Sequence, residues 1–403
     1  MQKPRLRKID ASRSNDNEDD VSLFRGGLFY RAQVISRLMD PERWNVCRRV
    51  VITLVICWLP LLIITALFDR DQLIDLLTDY ELYSRVAIAI PVLVMGQLVM
   101  EDRFRMVAKH VIEARLLGDE DSRRMKAALG TIRRLRDTPL SELIIVGLVV
   151  LDLGLLWKSR VASGPGWAVY RSGGVAQLRL AGWYYGLVCA PIYQFLLGLC
   201  FWKWFLWCLF LFRLSRTSLQ LVATHPDAHG GLGFLGLSPI GFIPIAVALS
   251  SVIGGSWSSE IRHNGAGLES FRLPAVLLVA LMFIIALAPL TLFVRKLDVL
   301  RRTAMLQYGV LAQRHAISLH EKWFSPGSGS EEAQFTLEEV STLADFAISY
   351  RSIKQMLPFP ADKGTLIALA LAIIVPLFPA VLAEYPLSVI VKGLLESVRA
   401  VPI

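Results

Sequence analysis

Across its 403 residues the chain is 54% hydrophobic and 19% charged, with a mean hydropathy of +0.50. That is too apolar for an ordinary soluble domain of this size, and it places the chain among polytopic membrane proteins. The net charge of +9 does not point to nucleic acid, because the basic residues flank apolar runs, where they act as topology signals, and no basic domain or groove motif accompanies them. The five cysteines (Cys47, Cys57, Cys189, Cys200, Cys208) lie in or beside apolar segments without a CxxC pair, so neither a zinc knuckle nor a disulfide framework is indicated.

Residues 1–22 hold too little apolar surface to offset the entropy of ordering and read as a disordered tail. The first long apolar run begins about fifty residues in, beyond the reach of a signal-peptide n-region. Leu28, Val34, Ile35, Leu38 and Met39 among arginines predict a short interfacial helix, and Asp40-Pro41 restarts the chain. A first span is predicted over Val50–Phe68. Arg48 and Arg49 precede it and an acid-rich loop follows, which puts the N-terminus on the cytoplasmic side. Val86–Met100, with Gln97 as its polar interior residue, is a short second span that must extend to cross.

Residues 101–138 carry ten Lys or Arg and two amphipathic patterns, Phe104, Val107, Val111, Ala114 and then Met125, Leu129, Ile132, Leu135; they predict a cytoplasmic helical hairpin. The third span, Ser141–Trp157, contains Asp152. A carboxylate there costs about 2.5–3.5 kcal/mol near a helix centre, so it is expected to face protein or a hydrated path. Residues 158–180 read as an external loop, although they hold four basic residues and no acid. The apolar tract 181–212 is too long for one straight crossing. Pro191 is expected to kink it, and Trp202, Trp204 and Trp207 around Lys203 read as an interfacial belt with a snorkelling lysine.

The segment from Arg213 to Trp257 joins a charged loop, a glycine-rich turn and a span without a spacer. His225-Pro226-Asp227 resembles the HPD tripeptide of J-domain co-chaperones, but glycines and a span follow where that domain needs soluble flanking helices. Three readings of the loop compete. The leading one is a structural turn, with Asp227 and His225 satisfying backbone groups while Gly230, Gly231, Gly233 and Gly236 allow close packing. The second is an anion-binding nest of backbone N–H groups over Gly230–Gly236. The third is a metal site from His225, Asp227 and His229, completed by His315, His320 or Glu321; no other cofactor is expected.

In the fifth span, about 238–256, Ala246, Ser250 and Gly254 recur every four residues and predict a close helix contact. A sixth span, Leu273–Val294, is expected to continue as a cytoplasmic helix to about Trp323 with Leu297, Leu300, Ala304, Tyr308, Leu311, His315 and Leu319 on one face. A linker at Ser325 follows, then a helix opened by Thr336 and Glu339. The earlier hairpin and these helices are expected to bury their apolar faces on one another. Gly364–Ala383, with Pro376 and Pro379, is a seventh span or a re-entrant hairpin, and a helix after Pro386 lies in the interface.

The expected fold is therefore all-α, with six or seven spans over a cytoplasmic layer of amphipathic helices. Its parts are 1–22, 23–100, 101–138, 139–294, 295–363 and 364–403. No nucleophile with a base, paired carboxylates or phosphate motif supports an enzyme, and GGLGFLG is not GxGxxG. The leading function is passage of a small solute or ion along a path lined by Asp152, Ser250 and Gln97, with the third and fifth spans forming it. A non-transporting sensor or scaffold is second and a membrane-embedded enzyme third. The bilayer, a second copy and a cytoplasmic protein are the expected partners, and a bacterial inner membrane the expected location.

Overall fold

The computed structural model describes residues 26–38, 45–114, 116–172, 175–324 and 337–385. The expected N-terminal tail, the Asp40-Pro41 restart, the linker at Ser325, the Thr336 cap and the helix after Pro386 lie outside them.

The chain is an all-α polytopic membrane fold, and six of its helices are long and apolar enough to cross a bilayer: Val46–Phe68, Tyr80–Val111, Leu180–Ser215, Gly233–His263, Leu268–Ser318 and Lys363–Glu384. These are the first, second, fourth, fifth, sixth and seventh spans in chain order. The third apolar helix, Leu140–Ser163, bends by 44° from Asp119–Asp137 and raises the count to seven if that bent pair is one crossing. As expected, the second span extends beyond its apolar centre. The last is not a hairpin: Lys363–Ile374, a 3₁₀ turn at Val375–Leu377 and Phe378–Glu384 follow one another within a single membrane-length unit.

The fifth span is the hub. It packs on the second span and along the whole of the seventh, and Ala246 and Ser250 on its small-residue face are fully buried. A Cβ at Gly254 would fall 2.6 Å from the Pro376 carbonyl oxygen, so the two backbones touch where the sequence spacing predicted a close contact.

Two short π-helical segments interrupt the helices, Ser84–Ala89 in the second span and Tyr185–Cys189 in the fourth. Pro91 and Pro191 follow them. A helix-interior proline lacks the N–H and crowds the carbonyl of residue i−4, and a widened turn relieves both defects. Pro191 thus loosens the fourth span rather than breaking it.

The segment between the third and fourth spans is not an irregular loop. Val169–Ser172 and Val175–Leu178 pair antiparallel, Val169 opposite Leu178 and Ser172 opposite Val175, and the sequence between them is Gly-Gly. Gly-Gly between apolar-rich runs is a hairpin signal. One basic residue of this segment meets the acid-rich loop: Arg179 pairs with Asp69 and donates to the Gly166 carbonyl at 3.1 Å. Trp167 is buried and donates from Nε1 to Asp79 at 2.6 Å. Asp69 and Asp79 of the acid-rich first loop are thus both engaged by the segment between the third and fourth spans.

At the opposite face, the helix Leu28–Ile35 is tethered by its Phe29 N–H to both Glu142 carboxylate oxygens, at 3.1 and 2.9 Å. Met125, Leu129 and Ile132 of Asp119–Asp137 are buried, against the fourth span rather than the later helices. Of the expected layer of amphipathic helices, Arg272–Phe324 and Leu337–Gln355 pack on one another, while Asp119–Asp137 has the fourth span as its main partner among the described residues. The helix Arg272–Phe324 has 53 residues and is about 80 Å long at 1.5 Å per residue. Leu297 and Ala304 are buried, but Leu306, Val310, Leu311 and Ile317 are exposed. Beyond Ala304 it is a stalk, braced by Leu337–Gln355 through Tyr308 stacked on Phe346.

Candidate functional site

The tryptophan cluster of the fourth span is core, not belt. Trp204 and Trp207 are buried, and the Trp207 ring stacks on Phe104 of the second span with centroids 4.4 Å apart. Lys203 beside them is half-buried and does not snorkel alone: it interacts electrostatically with Glu101 and Arg49. Arg49 is likewise more than a topology signal. It is buried, and its Nη2 donates to the Gln97 carbonyl oxygen at 2.8 Å. Arg49, Gln97, Glu101 and Lys203 thus make a polar cluster among three spans. A buried charge persists in such a place only with partners.

Near the hairpin face the second and fourth spans enclose a cavity of about 330 Å³, lined by both π-helical segments, the hairpin and Leu153 of the third apolar helix. Arg85 dominates its chemistry. The guanidinium donates to Glu81 at 2.9 Å and to the Tyr185 hydroxyl, and it lies 5.5 Å from the Tyr185 ring centroid and 5.9 Å from that of Tyr193. Aromatic faces and one carboxylate hold the cation in place inside the wall of the bundle. Asp79 is a fixed part of the frame: its Oδ1 accepts the N–H groups of Glu81 and Leu82, at 2.8 and 3.1 Å, while Oδ2 takes Trp167.

Gln194 is the link to Asp152. It lines the cavity and donates from Nε2 to Asp152 Oδ2 at 2.6 Å, so the intramembrane acid sits one side chain behind the cavity wall. Its partner is an amide on the fourth span, not the hydroxyl of Ser250 or Tyr184. Tyr184 donates instead to the Ile56 carbonyl, at 2.7 Å.

The residues expected to share a path are not brought together. Asp152 faces the fourth span, Gln97 faces Arg49 of the first, and Ser250 is buried on the fifth span with no hydrogen-bond partner for its hydroxyl among the described residues. The third apolar helix packs on the fourth span and the fifth on the second and seventh, so the third and fifth do not face one another. Arg85, Tyr185, Arg49 and Glu101 carried no functional reading in the sequence. The signal available for the first two was a proline six positions after each, Pro91 and Pro191, marking the widened turns from which they project.

The glycine-rich loop is built around Asp227. Its carboxylate accepts the N–H groups of His229, Gly231 and Gly233, at 2.8, 3.1 and 2.8 Å, and lies 2.9 Å from His225 Nδ1. Gly230 and Gly231 have positive φ, 65° and 93°, where glycine alone is unstrained. The loop therefore contains a nest of N–H groups, and the anion in it is the chain's own carboxylate. Burial pushes the Asp227 carboxyl up, but those three N–H groups and His225 together outweigh it and hold it below its ordinary value. His229 turns its Nδ1 back to the Asp227 carbonyl at 2.6 Å, and His315 lies against Phe346. Among the described residues no three His, Cys, Asp or Glu side chains are grouped to hold a metal, so the geometry favours the structural turn. No protein-family model, curated protein or solved structure matches this chain.

Proposed function

We propose that the protein passes a small polar solute or ion across the membrane, and that the Arg85 cavity is where it is first held. The observation that carries this reading is a fixed cation in a cavity between two π-helical segments, since such local widenings of a helix recur at functional sites and place polar groups at membrane depth. Gln194 in the wall with Asp152 behind it, and the Arg49–Gln97–Glu101–Lys203 cluster, supply polar groups along the bundle. Aromatic faces, one amide and one cation suit recognition and positioning rather than bond making.

The path differs from the one composition suggested, running along the second and fourth spans. Asp152→Asn keeps the size of the side chain and its contact with Gln194 while removing the titratable charge. Purified variant in liposomes should retain the fold and lose flux; flux equal to that of the wild type would reduce Asp152 to a packing residue. In this reading the protein lies in a bacterial inner membrane with the N-terminus cytoplasmic. Maleimide labelling of single cysteines at 110 and 229 in intact cells tests that placement, which fails if either is labelled from outside.

A second reading, a sensor or scaffold, is favoured by the exposed apolar residues of the stalk, Leu306, Val310 and Ile317. It predicts that the protein adds no flux to liposomes and that removal of residues 305–350 abolishes partner capture from membranes. Protein-dependent flux in liposomes would count against it.

A further inference from the structure

A second, wider groove opens at the face opposite the hairpin, where the fourth span ends and the sixth leaves the apolar zone. It holds about 840 Å³ between Phe212–Leu221 and Leu292–Thr303. Its walls are apolar with a basic band across them. Phe212 and Leu292, exposed at 40% and 36%, stand at one end of the walls and Leu219, Leu221, Val299 and Leu300 at the other, and between them come Arg216, Arg295 and Lys296 with the hydroxyls of Ser215 and Ser218. No carboxylate lines the groove, and among the described residues none pairs with Arg216 or Arg295. Asp121 accepts the Ser218 N–H at 2.9 Å and interacts electrostatically with Lys296, and Asp298 on the same helix pairs with Arg302.

We infer that this groove binds the headgroup of an anionic phospholipid, with an acyl chain lying along Phe212 and Leu292. Three cations over an apolar trough at the end of two spans match an amphiphile that is negative at one end and apolar at the other. The cations are also held open. Lys296 donates to the Thr217 carbonyl, and the exposed Arg216 guanidinium rests 5.1 Å above the Phe212 ring, so each has a defined contact at the rim. The fixing strand is itself anchored, since Gln220 donates its N–H to the Leu116 carbonyl at 2.8 Å. A bound lipid would therefore bridge the fourth span, the loop leading to Asp227 and the base of the stalk. This inference does not depend on the proposed transport function.

The test uses the full-length protein in a neutral detergent, with phosphatidylglycerol, phosphatidylcholine or inorganic phosphate added, read by lipid retention in native mass spectrometry and by melting temperature. Phosphatidylglycerol should be retained and should raise the melting temperature, whereas phosphatidylcholine and phosphate should do neither. The double variant Arg216→Gln, Arg295→Gln, which spares the Lys296 contact, should melt at the wild-type temperature without lipid and retain phosphatidylglycerol about 30-fold more weakly, as expected for two basic residues at an anionic surface. Equal stabilisation by phosphatidylcholine or by phosphate alone would overturn the assignment. Unchanged retention by the double variant would overturn it too, and a single variant Arg295→Gln gives the same reading, at smaller amplitude, if the double variant melts early.

Discussion

Gly254→Leu should cost about 3 kcal/mol or more. Overpacking a tight contact typically costs about 1–3 kcal/mol, and this site lies at the upper end because what the new side chain meets is backbone. A Cβ at position 254 would lie 2.6 Å from the Pro376 carbonyl oxygen and 3.0 Å from the Leu377 Cα. Neither atom can rotate away. The seventh span would have to shift, taking with it the contact in which Ser258 donates to the Pro379 carbonyl. Melting in detergent should fall sharply for Gly254→Leu and less for Gly254→Ala. A leucine variant that melts with the wild type would mean that the fifth and seventh spans do not touch there.

Removal of the Asp227 carboxylate should cost about 3 kcal/mol, because hydrogen bonds to a charged group contribute about 1.5–3 kcal/mol each and water replaces only part of what three N–H groups lose. The loss should be local first. Hydrogen exchange at residues 228–234 should accelerate in Asp227→Ala while the spans stay protected, and the Leu357 N–H, which donates to the Ala228 carbonyl at 2.8 Å, should follow. The pH dependence has a definite sign. The folded carboxyl sits below its ordinary value, so its contribution is fully present above the unfolded value of about 3.9 and is lost as pH falls through the folded one. Protection of the loop should accordingly hold from neutral pH to about pH 4 and fail below it, and Asp227→Asn should flatten that step. An acid step that persists in Asp227→Asn would assign it to another group.

The spans were legible because uninterrupted apolar runs have few alternatives in a chain of this composition. Asp227 was legible for a related reason: a short acid followed by glycines can satisfy its own turn without help from elsewhere. The tryptophans misled because the fourth span is apolar all round, and a helix with no polar side gives no periodicity to say which face meets protein and which meets lipid. Trp204 and Trp207 therefore read as a belt when they are core. Arg85 and Arg49 were hidden by their position. An arginine at the start of an apolar run reads as a flank, and only the tertiary partners, Glu81 with two tyrosines for one and Gln97 for the other, set it inside the bundle. The pairing of Asp152 with Gln194 joins residues 42 positions apart in sequence, and nothing local to either announces it. The packing of Asp119–Asp137 on the fourth span was lost in the same way, since an amphipathic pattern gives a face but not its partner.

The most direct test of the Arg85 cavity as the point of entry is stopped-flow light scattering of proteoliposomes challenged with small osmolytes: glycerol, urea, and the sodium and potassium salts of chloride and acetate. The account predicts that wild-type protein speeds volume recovery over protein-free liposomes for at least one of these. Arg85→Gln, reconstituted to the same density and melting near the wild type, should slow that recovery at least about tenfold, the equivalent of ~1.4 kcal/mol of lost interaction. Recovery no faster than in protein-free liposomes across the whole panel, or equal recovery with Arg85→Gln, would contradict it.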